Sequence, residues 1–93
     1  KESLNATAIN ELPAAGLSSV YPNPVSDLLQ VNFSDAAFRQ MEVLDLSGRV
    51  VYQNNSTQLS TQIPVAAMHA GVYLLHVKQS GTTPAISKFI VAK

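Results

Sequence analysis

The chain lacks cysteine and tryptophan, carries no net charge and contains no long hydrophobic run. Without cysteine it forms neither disulfide bonds nor thiolate metal sites. Six Lys and Arg balance six Asp and Glu, so there is no basic stripe for binding nucleic acid or an anionic membrane surface. No apolar run approaches the roughly 20 residues that a membrane-spanning helix needs. These absences argue against nucleic-acid binding and against a membrane-spanning helix in the 93 residues.

The chain does have enough apolar residues for one modest core. Hydrophobic residues make up 46% of it and charged residues 13%, a balance typical of a folded domain and not of a disordered segment. A chain of this size buries roughly 60% of the surface that it exposes when unfolded. Residues 1–5 lack the apolar segment of a signal peptide; if these residues are the C-terminal part of a secreted parent protein, the export signal lies far upstream.

A linker and one folded unit are predicted along the chain. Residues 1–19 are rich in Ala, Ser and Asn and show no hydrophobic period, which is typical of a linker. Within this stretch, Ile9 and Leu12 are the candidates for docking as a short edge segment. The folded domain is predicted to comprise residues 20–93.

Short strands separated by turn residues dominate the folded unit. Hydrophobic and polar residues alternate in residues 29–33, as they do in a half-buried strand. Residues 73–78 place an apolar residue at every second position, and residues 41–46 become apolar on both faces towards their end. The dipeptide Ser47-Gly48 predicts a hairpin with a positive φ at the glycine. The remaining strand candidates are residues 50–52, 56–63 and 86–91. About seven short strands at spacings of about 8–12 residues predict an all-β fold, a single antiparallel, immunoglobulin-like β-sandwich.

The sequence contains one helix candidate and no recognisable catalytic constellation. Residues 64–70 have the composition of one or two helical turns. The two histidines, His69 and His76, match no metal-ligand spacing, and the acidic residues are spread singly along the chain. A Gly-x-Ser-x-Gly nucleophile motif is also missing. We therefore expect neither an enzyme, nor a metal site, nor a cofactor.

Carbohydrate binding is the alternative function, because small β-sandwiches often bind sugars. Sugar-binding surfaces usually present exposed aromatic rings, and this chain has no tryptophan. The strand parity places Phe33, Tyr73 and Phe89 in the core, which leaves Tyr21 and Tyr52 as exposed candidates. A cell-surface adhesive or carbohydrate-binding module therefore stays open as the second interpretation.

Four motifs follow one another through the folded unit. Residues 21–24 read Tyr-Pro-Asn-Pro, in which the two prolines fix φ and remove two backbone donors before the first strand. An Asp-x-x-Gly-Arg hairpin follows at residues 45–49, a Gly-x-Tyr strand at 71–73, and a lysine-bearing last strand at 88–93. In this order, the motifs resemble the C-terminal sorting domain (type A) of cargo proteins of the type IX secretion system, also called the Por secretion system C-terminal domain.

The resemblance implies a β-sandwich that acts as a secretion address on a larger passenger protein. The implied route runs through the periplasm and across the outer membrane of a Gram-negative bacterium. The implied partners are the outer-membrane translocon and a sortase-like signal peptidase, which usually cuts the linker, here within residues 1–19. The passenger is then released into the medium or attached to the cell surface.

The resemblance also gives ten sorting-motif positions. In this sequence they are Pro22, Asn23, Pro24, Asp45, Gly48, Arg49, Gly71, Tyr73, Lys88 and Lys93. Each also has a purely structural interpretation. Gly48 and Gly71 supply backbone conformations that other residues resist, and Tyr73 belongs to the core. Lys88 and Lys93 either protect a sheet edge or contact the translocon. His69 stands where the family often has leucine.

The last strand, residues 86–91, carries the central hypothesis about recognition. A receptor reads it either as part of a folded surface or as a strand added to the receptor's own sheet edge. Exposed edge strands would also allow a strand-mediated homodimer of the isolated domain.

Overall fold

Seven β-strands and no helix make up the part of the chain that the structure describes. The computed structural model describes residues 15–93. Each strand has between five and eight residues, because turn-forming Gly, Pro, Ser and Asn residues separate the β-branched and aromatic runs. The strands are β1 (Leu17–Tyr21), β2 (Leu28–Phe33), β3 (Arg39–Asp45), β4 (Val50–Ser56), β5 (Ser60–Pro64), β6 (Gly71–Lys78) and β7 (Ala85–Val91).

The strands form two antiparallel sheets that pack face to face. One sheet has three strands in the order β1-β2-β5, and the other has four strands in the order β4-β3-β6-β7. All five strand pairings within them are antiparallel. This architecture confirms the predicted all-β fold, a single antiparallel β-sandwich of seven short strands.

Every second residue of the paired strands points into the space between the sheets. The inward rows are the ones that the alternation predicts: Leu29, Val31 and Phe33 on β2, and Tyr73, Leu75 and Val77 on β6. Phe89 on β7 is fully buried, and its ring stacks on that of Tyr73 with the ring centroids 5.9 Å apart. Full burial of one such side chain contributes about 1.5–3 kcal/mol, so these rows are the main source of stability.

Two local predictions are wrong. Residues 64–70 form turns and not a helix, because Pro64 is the last residue of β5 and the fully buried Val65 continues into the core. The strand predicted at residues 56–63 is two separate elements: β4 runs to Ser56, and β5 begins at Ser60. The turn between them exposes Leu59, whose parity alone favoured a strand.

The first strand begins inside the stretch that the sequence assigns to the linker. Strand β1 starts at Leu17, and Ala15 just before it is buried, whereas the predicted linker extends over residues 1–19. The predicted docking of Ile9 and Leu12 lies outside the described residues. The segment just before β1 is held in place by the buried side chain of Arg39.

The guanidinium of Arg39 holds three loop carbonyls at one end of the sandwich. Its Nε donates to the carbonyl oxygen of Ala15 at 2.6 Å. Its Nη1 donates to the carbonyl oxygens of Asp35 at 2.9 Å and Ala37 at 3.3 Å. The guanidinium also lies 4.2 Å from the centroid of the Phe33 ring, a cation–π contact. Arg39 therefore ties the segment before β1 to the loop between β2 and β3.

Gly16 permits this close approach. Its φ is +71°, and a Cβ at this position would lie only 2.2 Å from Arg39 Nη2. A side chain is therefore excluded both by the backbone conformation and by the buried guanidinium.

The strand directions give the sandwich two ends. The linker end, where the described chain begins, consists of residues 15–17, 33–39, 56–60 and 78–85. The motif end, at the opposite ends of the same strands, consists of residues 21–28, 45–50, 64–71 and 91–93. Residues 15–93 contain no helix long and apolar enough to cross a membrane.

Candidate recognition end

The structure brings most of the sorting-motif positions together at the motif end. Pro22, Asn23 and Pro24 follow β1 there, Asp45, Gly48 and Arg49 form the hairpin between β3 and β4, and Gly71 and Tyr73 open β6. Lys93 follows β7 at the same end, while Lys88 lies in the middle of that strand. The arrangement follows from the antiparallel pairing, which places Asp45 opposite Tyr73 and Gly71 opposite Val91. The chain's N-terminal segment enters the sandwich at the other end.

The Asp45 carboxylate organises the hairpin between β3 and β4. Its Oδ1 accepts hydrogen bonds from the Ser47 hydroxyl at 2.6 Å and from the backbone N–H groups of Ser47 and Arg49 at 3.0 Å each. Gly48 has a φ of +91°, as the Ser-Gly turn predicts. The hydrogen bonds from the Ser47 hydroxyl and the Arg49 backbone lower the pKa of Asp45 below its ordinary value of 3.8. The aspartate of the motif therefore shapes the turn.

Replacement of Asp45 by asparagine is expected to destabilise the domain at neutral pH and not in acid. Because the folded state lowers the pKa of Asp45, the charged carboxylate stabilises the fold above the ordinary pKa. This stabilisation is lost as the pH falls through the lowered pKa. Asparagine retains an oxygen acceptor for the turn but no charge. Thermal unfolding of the wild type and the Asp45→Asn variant, from neutral pH to well below 3.8, should therefore show melting temperatures that differ at neutral pH and converge below 3.8. A constant difference across this range would contradict the role of the charge.

An apolar cavity of about 520 Å³ lies between this hairpin and the turns at residues 64–70. Val51, Tyr52, Met68 and Tyr73 contribute its apolar wall. Asp45 and Arg49 also line the cavity; the Arg49 side chain is 77% exposed, and its Nε lies 3.3 Å from Asp45 Oδ2. The cavity is therefore an apolar recess with a charged margin, formed by side chains of two different motifs.

The tyrosine of the Gly-x-Tyr motif belongs mainly to the core. Tyr73 is buried, and its hydroxyl donates to the carbonyl oxygen of His69 at 2.7 Å. This hydrogen bond fixes the turn before β6, and the His69 side chain itself is not needed for it. The position that departs from the family pattern thus contributes its backbone to the motif end.

The terminal lysine also supports the turns. Lys93 Nζ donates to the carbonyl oxygens of Val65 at 3.2 Å and Ala66 at 2.5 Å. A lysine ammonium that is already bound to two carbonyls is less available to a partner than a free one. Lys93 therefore contributes first to the shape of the motif end.

The Tyr-Pro-Asn-Pro segment lies along the outer edge of the last strand. The side-chain Oδ1 of Asn23 accepts from the backbone N–H of Ile90 at 3.0 Å, and its Nδ2 donates to the carbonyl oxygen of Lys88 over a long 3.4 Å. Val25 then pairs with Val91 in an isolated parallel bridge. The first and the last motif, more than sixty residues apart in the chain, are thus in direct contact.

The outer face of the four-stranded sheet is divided into a polar and an apolar half. In the polar half, Glu42 lies 3.8 Å from His76 and 3.9 Å from Lys78, and it accepts a hydrogen bond from Gln53. The apolar half lies toward the motif end and is formed by Leu44, Val50, Val72, Leu74 and Ile90, whereas Ile86 lies opposite His76 of the polar half. Outer faces of antiparallel sheets usually carry polar residues, so a partly exposed aliphatic cluster here is distinctive.

Lys88 lies within this apolar half. It is opposite Leu74 on β6 and is exposed. Within residues 15–93, its ammonium has no carboxylate inside 4.0 Å, whereas Lys78 lies near Glu42. Of the two predicted lysines, Lys88 is thus the one whose charge faces outward from an apolar surface.

Three features of the structure have no recognised signal in the sequence analysis. Arg39 was not singled out, although it shares the inward parity of Met41 and Val43, and a charged residue at such a position is a recognisable signal. The partners of Asn23 and the burial of Val25 depend on contacts with β7 and leave no local signal.

Within residues 15–93, no group of three or more His, Cys, Asp or Glu residues could hold a metal ion.

Comparison with known protein families identifies the domain. A family model described as a secretion system C-terminal sorting domain matches residues 19–92. The chain belongs to this family. The match confirms the resemblance that the four motifs indicate, and the domain is a C-terminal secretion signal of the type IX secretion system. It is therefore part of a secreted or cell-surface protein and works with the secretion machinery and a passenger domain.

Two solved structures share the fold of the sorting domain. One is PorZ, described as an essential bacterial surface component of the type-IX secretion system of Porphyromonas gingivalis, with 21% sequence identity and a TM-score of 0.69. That match covers 84% of this chain but only 12% of the PorZ chain.

The other is a DUF3244 family protein from Bacteroides vulgatus with an immunoglobulin-like β-sandwich fold, at 17% identity and a TM-score of 0.71. The match covers 89% of the sorting domain and 98% of the DUF3244 protein, and it confirms the immunoglobulin-like architecture. No curated protein sequence matches the sorting domain.

Proposed function

We propose that the outer-membrane translocon recognises the folded surface around Lys88, at the motif end and on the apolar half of the outer face. The observation that carries this proposal is the position of Lys88, an exposed cation among aliphatic side chains with no carboxylate within 4.0 Å in residues 15–93. A receptor with an acidic group inside an apolar surface would complement it in both charge and hydrophobicity.

A receptor that binds this surface does not need to contact the passenger. The described chain enters the sandwich at the linker end, at Ala15, whereas most motif positions lie at the opposite end and Lys88 lies in the middle of β7. A receptor bound at the motif end would therefore meet the same surface whichever passenger precedes the domain. This arrangement suits a signal that serves many unrelated cargo proteins.

The second proposed partner is the sortase-like signal peptidase. We place its cut N-terminal to Ala15, because the carbonyl of Ala15 is held by buried Arg39 and residues 17–19 are paired in β1. Peptidases cleave exposed segments that they can bind in extended form. Of the predicted cleavage range, residues 1–19, the proposal thus retains residues 1–14, which lie outside the described part of the chain.

The proposed route runs from the periplasm across the outer membrane of a Gram-negative bacterium, with release or surface attachment of the passenger.

We also propose that the domain has no catalytic activity of its own. Its motif residues stabilise turns, cover a strand edge or form part of an exposed surface. A strand-mediated homodimer is proposed for the edge strands β1, β4 and β5 and not for β7, because residues 22–25 cover much of the outer edge of β7.

Removal of the Lys88 charge tests the recognition surface. Lys88→Gln is expected to reduce export of a fused passenger roughly fivefold, equivalent to about 1 kcal/mol in binding, with no change in melting temperature. Lys78→Gln is the matched control, since Lys78 lies on the same face near Glu42. Equal export of the two variants would contradict the proposed role of Lys88.

A further inference from the structure

The outer edge of β7 is paired by a segment that is not a strand. The amide of Asn23 meets the strand with both of its polar atoms, the oxygen on the N–H of Ile90 and the nitrogen on the carbonyl of Lys88. A side-chain amide carries the same donor and acceptor as a peptide group. Asn23 thus takes the place of one residue of a neighbouring strand.

Val25 continues this pairing with its main chain. Its N–H donates to the carbonyl oxygen of Ile90 at 2.8 Å, and its carbonyl accepts from the N–H of Ala92 at 2.8 Å. Alternate residues of an edge strand direct their N–H and C=O groups outward, and on β7 these are the even-numbered ones. From the Lys88 carbonyl to the Ala92 N–H, every outward group of the edge therefore has a partner.

The segment offers little to a further strand. Pro22 and Pro24 on either side of Asn23 have no backbone N–H, and prolines interrupt strand pairing at sheet edges. A partner that approached β7 from this side would find the edge occupied and would find no continuous row of donors on the covering segment. Proteins commonly protect exposed sheet edges by such means.

We propose that residues 22–25 form an edge stop, in which Asn23 closes the outer edge of β7 and thereby fixes the strand in the register that the export machinery reads. Asn23 is then a positioning residue, because it acts through Lys88 and Ile90 and not by its own contact with the receptor. The statement about export rests on the proposed function; the closure of the edge does not. The edge stop also argues against recognition by strand addition along residues 88–92, one of the two alternatives for the last strand.

Hydrogen exchange on the full 93-residue chain tests the closure. Asn23→Ala is expected to speed the exchange of the Ile90 amide by about tenfold, while amides of β3 and β6 retain their rates. Asn23→Asp retains an oxygen acceptor for the Ile90 N–H and should restore most of the protection. Asn55→Ala is the control, since Asn55 is an exposed asparagine on edge strand β4. Unchanged exchange at Ile90 in the Asn23→Ala variant overturns the edge stop.

Export of a passenger fused to the same variants tests the positioning role of Asn23. Asn23→Ala should lower export severalfold at an unchanged melting temperature, and Asn23→Asp should recover it. Lost protection at Ile90 with export at the wild-type level overturns the positioning role. If the wild-type fusion itself is not exported, the proposed function fails, and the exchange data alone decide whether the edge stop exists.

Discussion

Replacing Arg39 by methionine is expected to lower the free energy of unfolding by about 3 kcal/mol. Methionine preserves apolar contact with the core but leaves the carbonyls of Ala15, Asp35 and Ala37 without their donor. Each buried polar group that loses its partner costs about 1–3 kcal/mol. For a domain of this size, whose total stability is on the order of 5–15 kcal/mol, the loss is large.

Urea denaturation of Arg39→Met beside Arg49→Met measures this effect. The side chain of Arg49 is 77% exposed and pairs only with Asp45 among residues 15–93, and an exposed ion pair contributes about 0–1 kcal/mol. The control should therefore unfold within about 1 kcal/mol of the wild type. Equal stability of the two variants would show that the buried guanidinium does not hold the entry to β1.

Replacing Phe89 by alanine is expected to destabilise the domain by about 3–5 kcal/mol, the usual cost of removing a buried aromatic side chain. Phe89 is fully inaccessible and stacks on Tyr73. Its neighbour Ile90 points outward and is 41% exposed, so Ile90→Ala should cost less than about 1 kcal/mol. Thermal and urea unfolding of the two variants checks the contrast between adjacent residues. Similar losses in both would contradict the inward and outward assignment of β7.

The Phe89→Ala variant also distinguishes recognition of a folded surface from recognition of a linear peptide. Phe89→Ala leaves every outward side chain of β7 in the sequence but weakens the sheet that presents them. We expect its export to fall at temperatures where the variant is unfolded and to recover where it is folded. Export that is independent of folding would indicate that the translocon reads the segment as an extended peptide.

The strands and their faces could largely be predicted from the sequence. An alternating pattern is a local property, and burial of one face follows from it directly, as for residues 29–33 and 73–78. The positive φ of Gly48 was predictable for the same reason, since the turn residues themselves determine it. The family resemblance was carried by four such local motifs, and the family match confirms it.

The remaining features depend on contacts between distant parts of the chain. Asn23 and its partner Ile90 on β7 are 67 residues apart in the sequence, so no local pattern predicts their contact. Residues 64–70 have helical composition, yet the burial of Val65 in the core outweighs that weak local preference. The start of β1 depends on Arg39, which is 24 residues away from Ala15, and this contact extends the folded part into the predicted linker.

The most direct test of the sorting function is a localisation measurement. Residues 1–93 are fused to the C-terminus of a periplasm-directed fluorescent protein in a host with a working type IX secretion system. The same fusion without residues 90–93 is the comparison, because this deletion removes Ile90 and the partner of Val25 at Ala92. The account predicts fluorescence at the cell surface or in the medium for the full fusion alone. Retention of both fusions in the periplasm would contradict the sorting function, and export of both would contradict the role of the last strand.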